Sequence, residues 1–127
     1  MNEIDLRFEL AHRLEIDIND GLGLKESWKK LTEILSDNVS ETVYFFNNNC
    51  SNEEFFWLSE VFSDVSVIIQ SKEFVMTLRK RLAQVTLENY VQISFEIDHT
   101  KRLIDYDEFV RSVNVEINYA EEVLDEV

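Results

Sequence analysis

Proline is absent and glycine occurs only twice, so the chain has almost none of the residues that set tight β-turns and positive-φ corners. Many-stranded folds are thereby disfavoured. A glycine-rich phosphate loop is excluded, since Gly21 and Gly23 are the only glycines. The single cysteine, Cys50, cannot form an intrachain disulfide, and without a second Cys or a His at ligand spacing it makes no zinc site. Its expected role is that of a small apolar or passive side chain. No apolar run approaches the roughly 18 residues of a membrane span, and the start Met1-Asn2-Glu3-Ile4-Asp5 lacks the basic-then-apolar layout of a secretion signal. A cytoplasmic protein in a reducing compartment is expected. Basic residues are scarce too: 12 Lys and Arg stand against 26 Asp and Glu, a formal charge of −14. Such a field repels phosphate backbones and anionic headgroups, so the expected partner is a basic protein, with neither nucleic acid nor membrane.

What is present is enough to fold. The chain of 127 residues is 45% hydrophobic and 12% aromatic, with nine Phe, too apolar for a disordered acidic tail, and residues 1–127 fit one domain. Ile4, Phe8, Ala11 and Leu14 recur at three-to-four spacing and predict a first helix over about 2–17, buried along that stripe. It ends near Asn19-Asp20-Gly21-Leu22-Gly23. Trp28, Leu31, Ile34 and Leu35 mark a second helix, and Val39, Val43, Phe45 and Phe46 a third that closes at Asn47-Asn48-Asn49. Ser51 and Glu54 have the spacing of a capping box, opening a central helix whose stripe is Phe55, Leu58, Phe62, Val65 and Ile69. Ser71 caps the next, with Phe74, Leu78 and Leu82, which ends near Val85.

The last third is ambiguous. Val91, Ile93, Phe95 and Ile97 alternate as in a strand, as do Val113, Val115, Ile117 and Tyr119. An internal echo favours helices: Phe95 to Asp105 recurs as Val115 to Asp125, and Tyr90, Ile93, Ile97, Thr100 and Ile104 match Val110, Val113, Ile117, Ala120 and Leu124. Helices near 86–103 and 106–126 are expected, with two strands as the alternative. The whole reads as all-α, six to seven helices in a compact bundle or a short solenoid of stacked helical hairpins.

Chemistry-bearing patterns are few. Glu9 with His12 and Glu96 with His99 have the Glu-x-x-His spacing of di-iron bundles, but Glu9 and His12 lie opposite the first helix's apolar stripe, where a surface pair of Glu9 with Arg13 is the better expectation. No nucleophile stands with a base and an orienting group, so the protein is expected not to be an enzyme and to need no cofactor or metal. The basic island Lys72, Arg79, Lys80 and Arg81 falls toward a helix end, where cations suit the macrodipole. Its acidic counterpart is Asp105, Asp107, Glu108, Glu116, Glu121, Glu122, Asp125 and Glu126, opposed only by Arg111. These like charges destabilise their own helix, which makes the segment the first candidate contact surface. Trp28, Tyr44, Trp57 and Tyr106 are candidate aromatic anchors.

The run Ser51-Asn52-Glu53-Glu54-Phe55-Phe56-Trp57-Leu58-Ser59-Glu60-Val61-Phe62, with Gln70-Ser71-Lys72-Glu73-Phe74 and Ile117-Asn118-Tyr119-Ala120-Glu121-Glu122-Val123-Leu124, resembles small helical bacterial immunity proteins of polymorphic toxin and contact-dependent growth inhibition systems. The resemblance implies one-to-one binding and neutralisation of a basic toxin domain, such as a nuclease. It assigns no individual residue, because such contacts differ from pair to pair. A helical-repeat adaptor and an acidic mimic of nucleic acid are the other expectations.

Overall fold

The computed structural model describes residues 1–125. Its helices are α1 (Glu3–Glu15), α2 (Gly21–Ser36), α3 (Val39–Asn48), α4 (Asn52–Leu58), α5 (Phe62–Ile69), α6 (Lys72–Ala83) and α7 (Tyr106–Glu122), with a small antiparallel pair, β1 (Ile93–Ile97) and β2 (Thr100–Ile104), before the last helix. The architecture is thus essentially all-α. Helix starts are set by short polar side chains. Asn2, Asp20, Asn38, Ser51, Ser71 and Asp105 each accept a hydrogen bond from the backbone N–H three residues on, satisfying a donor that the first turn leaves unpaired. The box at Ser51 is reciprocal, with Glu54 accepting from the Ser51 N–H at 3.0 Å.

The core is a cluster of phenylalanines. Phe46 meets Phe45, Phe55, Phe62 and Phe74 edge-on at centroid distances of 5.2, 6.1, 5.7 and 6.1 Å, the arrangement that the ring quadrupole favours. α7 lays its Phe109, Val113, Ile117 and Ala120 stripe onto this cluster, all fully buried, against α5 and α6. Each such side chain contributes roughly 1.5–3 kcal/mol by leaving water. Single hydroxyls pin the helices to one another: Thr42 Oγ1 donates to the Leu35 carbonyl at 2.7 Å, and Ser66 Oγ to that of Ala120 at 2.5 Å. Arg81 is buried beneath α4, donating to the Cys50 carbonyl at 2.9 Å and to Asn52 Oδ1 at 2.7 Å, with its guanidinium 5.2 Å from the Phe55 ring centroid. One member of the basic island is therefore an internal clasp.

The central helix expected from Ser51 to Ile69 is broken by a 3₁₀ turn at Ser59–Val61, where Ser59 Oγ donates back to the Phe56 carbonyl at 2.5 Å, a bond that competes with the α-helical ladder. The α1 stripe is inverted: Leu6, Glu9 and Leu10 are buried, while Ile4 and Phe8 are 81% and 77% exposed. Polar contacts set that rotation. Glu9 accepts from the Ser27 hydroxyl at 2.8 Å, Arg7 reaches Glu54 at 2.8 Å, and Arg13 binds Glu60 through two nitrogens at 3.1 and 2.8 Å. The expected surface pair of Glu9 with Arg13 is thus replaced by partners on α2 and the 3₁₀ turn.

In place of the helix expected over 86–103 there is a loop and a hairpin, and the echo with α7 is not a structural repeat, so the stacked-hairpin solenoid is set aside. α6 is stopped by Thr86 and Asn89, whose side chains bond each other's backbone N–H while Asn89 also donates to the Gln84 carbonyl. Asp98 and His99 turn the hairpin with φ of 50° and 63°, the two left-handed positions of a tight two-residue loop, taken here without glycine. Ile93 pairs with Ile104 at its buried root, and the Tyr90 hydroxyl donates to the Ile104 carbonyl at 2.5 Å. The strand alternation at Val91–Ile97 was the true signal; that at Val113–Tyr119 belongs to a helix.

Two substitutions separate the expected core from the observed one. Phe46→Ala is expected to lower unfolding free energy by about 3–5 kcal/mol, whereas Phe8→Ser changes it by less than about 0.5 kcal/mol. Urea unfolding monitored by circular dichroism reads both. A large loss at Phe8 would contradict the exposed α1 face.

Candidate docking surface

The acidic residues of α7 do not form one free face. The Asp105 carboxylate is spent as a helix cap, accepting from the Glu108 N–H at 2.9 Å. Glu108 is ion-paired with Arg102 of β2, and Glu121 with Arg79 of α6 at 3.1 Å. Glu116 is half-buried, facing Glu60 and Asp64. Asp107, Glu122 and Asp125 are exposed; among the described residues the first two make no ion pair. Glu126 lies outside the described residues. With 100° per residue, Glu121 and Glu108 fall on opposite flanks of the helix, as their partners on α6 and β2 require.

The aromatic candidates also separate. Tyr106 is half-buried, its ring 5.9 Å from Tyr90 and its hydroxyl donating to the Val85 carbonyl at 3.3 Å, and Trp28 packs against the core. Tyr44 is exposed on α3. Trp57 alone of the four lines a groove of about 680 Å³ between the end of α1, the α1–α2 loop, α4 and the hairpin. Its floor is Ile16, Leu24, Trp57, Phe95 and Ile97. Around it stand the exposed carboxylates of Glu15, Asp17, Glu53, Glu96 and Asp98, for which no ion pair exists among the described residues. The two cations in the wall are engaged elsewhere: Arg13 holds Glu60 while lying 5.7 Å from the Trp57 ring centroid, and Arg102 holds Glu108. Glu108 thus borders the groove through Arg102. A shallower groove of about 520 Å³ between α1 and α4 adjoins it, sharing Leu14, Glu53 and Trp57.

Of the residues singled out in the sequence as contacts, the groove contains Trp57 alone, and its five carboxylates were missed. They come from α1, the following loop, α4 and the hairpin, and no spacing in the chain connects these elements. The alternation of Phe95 and Ile97 was the one usable signal, since it puts both on the same side of a strand.

Reactive groups are dispersed. His12 is exposed on α1 and His99 sits at the hairpin turn, so Glu96 and His99 do not share a helix as the metal-like spacing required. Among the described residues no three His, Cys, Asp or Glu side chains converge as a metal centre. Burial pushes the Cys50 thiol up to about 12, leaving it protonated and a poor nucleophile at neutral pH. No helix among the described residues is long and apolar enough to cross a membrane.

Burial, and then the carboxylates of Glu60 and Asp64, hold the Glu116 carboxyl above its ordinary 4.5. A carboxyl raised by folding binds its proton more tightly in the folded chain, so it favours folding below 4.5 and loses that contribution as pH rises through the raised value. Glu116→Gln is expected to raise the melting temperature at neutral pH and to leave it unchanged well below the carboxylate range. Thermal unfolding across pH checks this, and a lower melting temperature at neutral pH would contradict it.

Comparison of the chain with models of protein families, with curated proteins and with solved structures gives no match.

Proposed function

We propose that this protein binds a cationic protein one to one and holds it inactive, and that the partner is a basic toxin domain, nuclease-like in its need for a phosphate-attracting cleft. The observation that carries this reading is how the arginines are used. Arg7, Arg13, Arg79 and Arg102 are each taken by a carboxylate of the same chain, and Arg81 is buried as a clasp. These five therefore do little to offset the exposed carboxylates of the groove and of α7, and Arg111 with the six lysines, though exposed, is outnumbered by them. A basic surface brought against them exchanges self-repulsion for attraction and is steered into contact over roughly the Debye length of 8–10 Å. Binding in this reading does no chemistry; it occludes, and we place it in the cytoplasm, where a toxin's substrates lie.

Two observations weigh against the other readings. An adaptor of stacked helical repeats has no counterpart to the β-hairpin that interrupts the helices before α7. A mimic of nucleic acid needs carboxylates in a row, whereas on α7 Glu121, Glu116 and Glu108 are turned toward α6, α5 and β2 and leave Asp107 and Glu122 at opposite ends of the helix.

Co-expression with the toxin domain of an effector encoded beside this gene is expected to restore growth and to yield a one-to-one complex on size-exclusion chromatography. Its association rate is expected to fall by about tenfold or more from low to high salt. No complex and no rescue, or a rate indifferent to salt, would contradict the proposal.

A further inference from the structure

We propose that the groove between the α1–α2 loop and the β-hairpin is the docking site for an amphipathic, lysine- or arginine-bearing segment of the partner protein, its apolar side chains against Trp57, Phe95 and Ile97 and its cations against Glu15, Glu53 and Glu96. This rests on the cationic-partner reading and says where and how such a partner is held. Three independent features point to this occupant. The groove has room for several side chains, about 680 Å³, and an apolar floor that favours an apolar guest over water. Its rim carries carboxylates of one sign, because the guanidinium groups of Arg13 and Arg102 are bound to Glu60 and Glu108. Charge complementarity therefore selects a basic guest and rejects an acidic one, including a second copy of this chain.

The third feature is Trp57 itself. Its indole Nε1 is buried and has no hydrogen-bond partner, while the ring is held by packing: Phe56 and Phe95 edge-on at 5.1 Å each, and Arg13 over its face. A buried N–H left unpaired is costly. Trp28 shares that unpaired buried N–H; what sets Trp57 apart is that its ring also lines the groove. Trp57 thus joins the large contact area and the polar tip that suit an aromatic anchor.

The test uses a short synthetic peptide with leucines on one helical face and lysines on the other. It is titrated at low salt into the intact protein by calorimetry, and into Trp28→Phe, where Trp57 is the only tryptophan, by fluorescence. Binding with a shift of the Trp57 emission is expected. The double variant Glu53→Lys with Glu96→Lys should weaken it by about tenfold or more, and Asp107→Lys with Glu122→Lys on α7 by less than about twofold. If the α7 pair weakens binding as much as the groove pair, the site is overturned while the cationic reading stands. Equal affinity for a peptide with serine in place of leucine overturns the apolar floor's role. Absence of binding by the leucine–lysine peptide overturns the site, while the cationic-partner reading stands or falls on complex formation with the toxin domain.

Discussion

Phe46 touches the rings of Phe45, Phe55, Phe62 and Phe74, and through them α3, α4, α5 and α6 are fixed to one another. α7 then closes the cluster with Phe109, which lies 6.5 Å from Phe55 and 5.8 Å from Phe56. Everything outside depends on this packing. A chain carrying −14 charges has a surface that works against compactness, so the apolar interior must supply the margin, and six fully buried phenylalanines give much buried area per residue ordered. The polar contacts then choose among ways of packing around the rings. Arg81 sets the entry to α4, Glu9 and Arg13 set the rotation of α1, and Gln70, itself at a positive φ of 46°, ties the end of α5 to the end of α7 by donating to the Val123 carbonyl and accepting from the Asp125 N–H.

How far this was legible in the sequence follows from what kind of force set each element. Caps are local, and Ser51 with Glu54, Ser71 and the Asn19–Gly23 break were readable because the donor and acceptor sit three residues apart. The stripe Phe55, Leu58, Phe62 and Val65 was readable because burial on a central element leaves a strong period. α1 was misread because its apolar period points outward. Three partners distant in sequence, Ser27, Glu54 and Glu60, outweigh that period, and no pattern within α1 announces them. The hairpin was misread because residues two apart in a strand and three or four apart in a helix can be drawn from the same apolar set, and because Asp98 and His99 make a left-handed turn without the glycine that usually marks one.

The binding surface shows the same limit in another form. Acid in the last third was plain from composition, yet composition does not tell a carboxylate that caps a helix, as Asp105 does, from one that meets an internal arginine, as Glu108 and Glu121 do, or from one left to the solvent, as Asp107 is. The groove is a product of assembly. Its floor and rim join the α1–α2 loop to α4 and to a hairpin of which the sequence offered only the first strand, as an alternative. Besides the alternation of Phe95 and Ile97, Trp57 carried a visible hint, as an aromatic beside the buried stripe rather than within it.

Exposed carboxylates in the free protein outnumber the cations that could offset them, and a cationic partner relieves the net repulsion that remains. The stability of the free protein against added sodium chloride at neutral pH measures this most directly. Screening of net repulsion should raise the urea unfolding midpoint steadily as salt increases toward a Debye length of about 3 Å. A midpoint that stays level or falls would mean that attractive pairs within the chain already balance its acid, and the reason for a cationic partner would be gone.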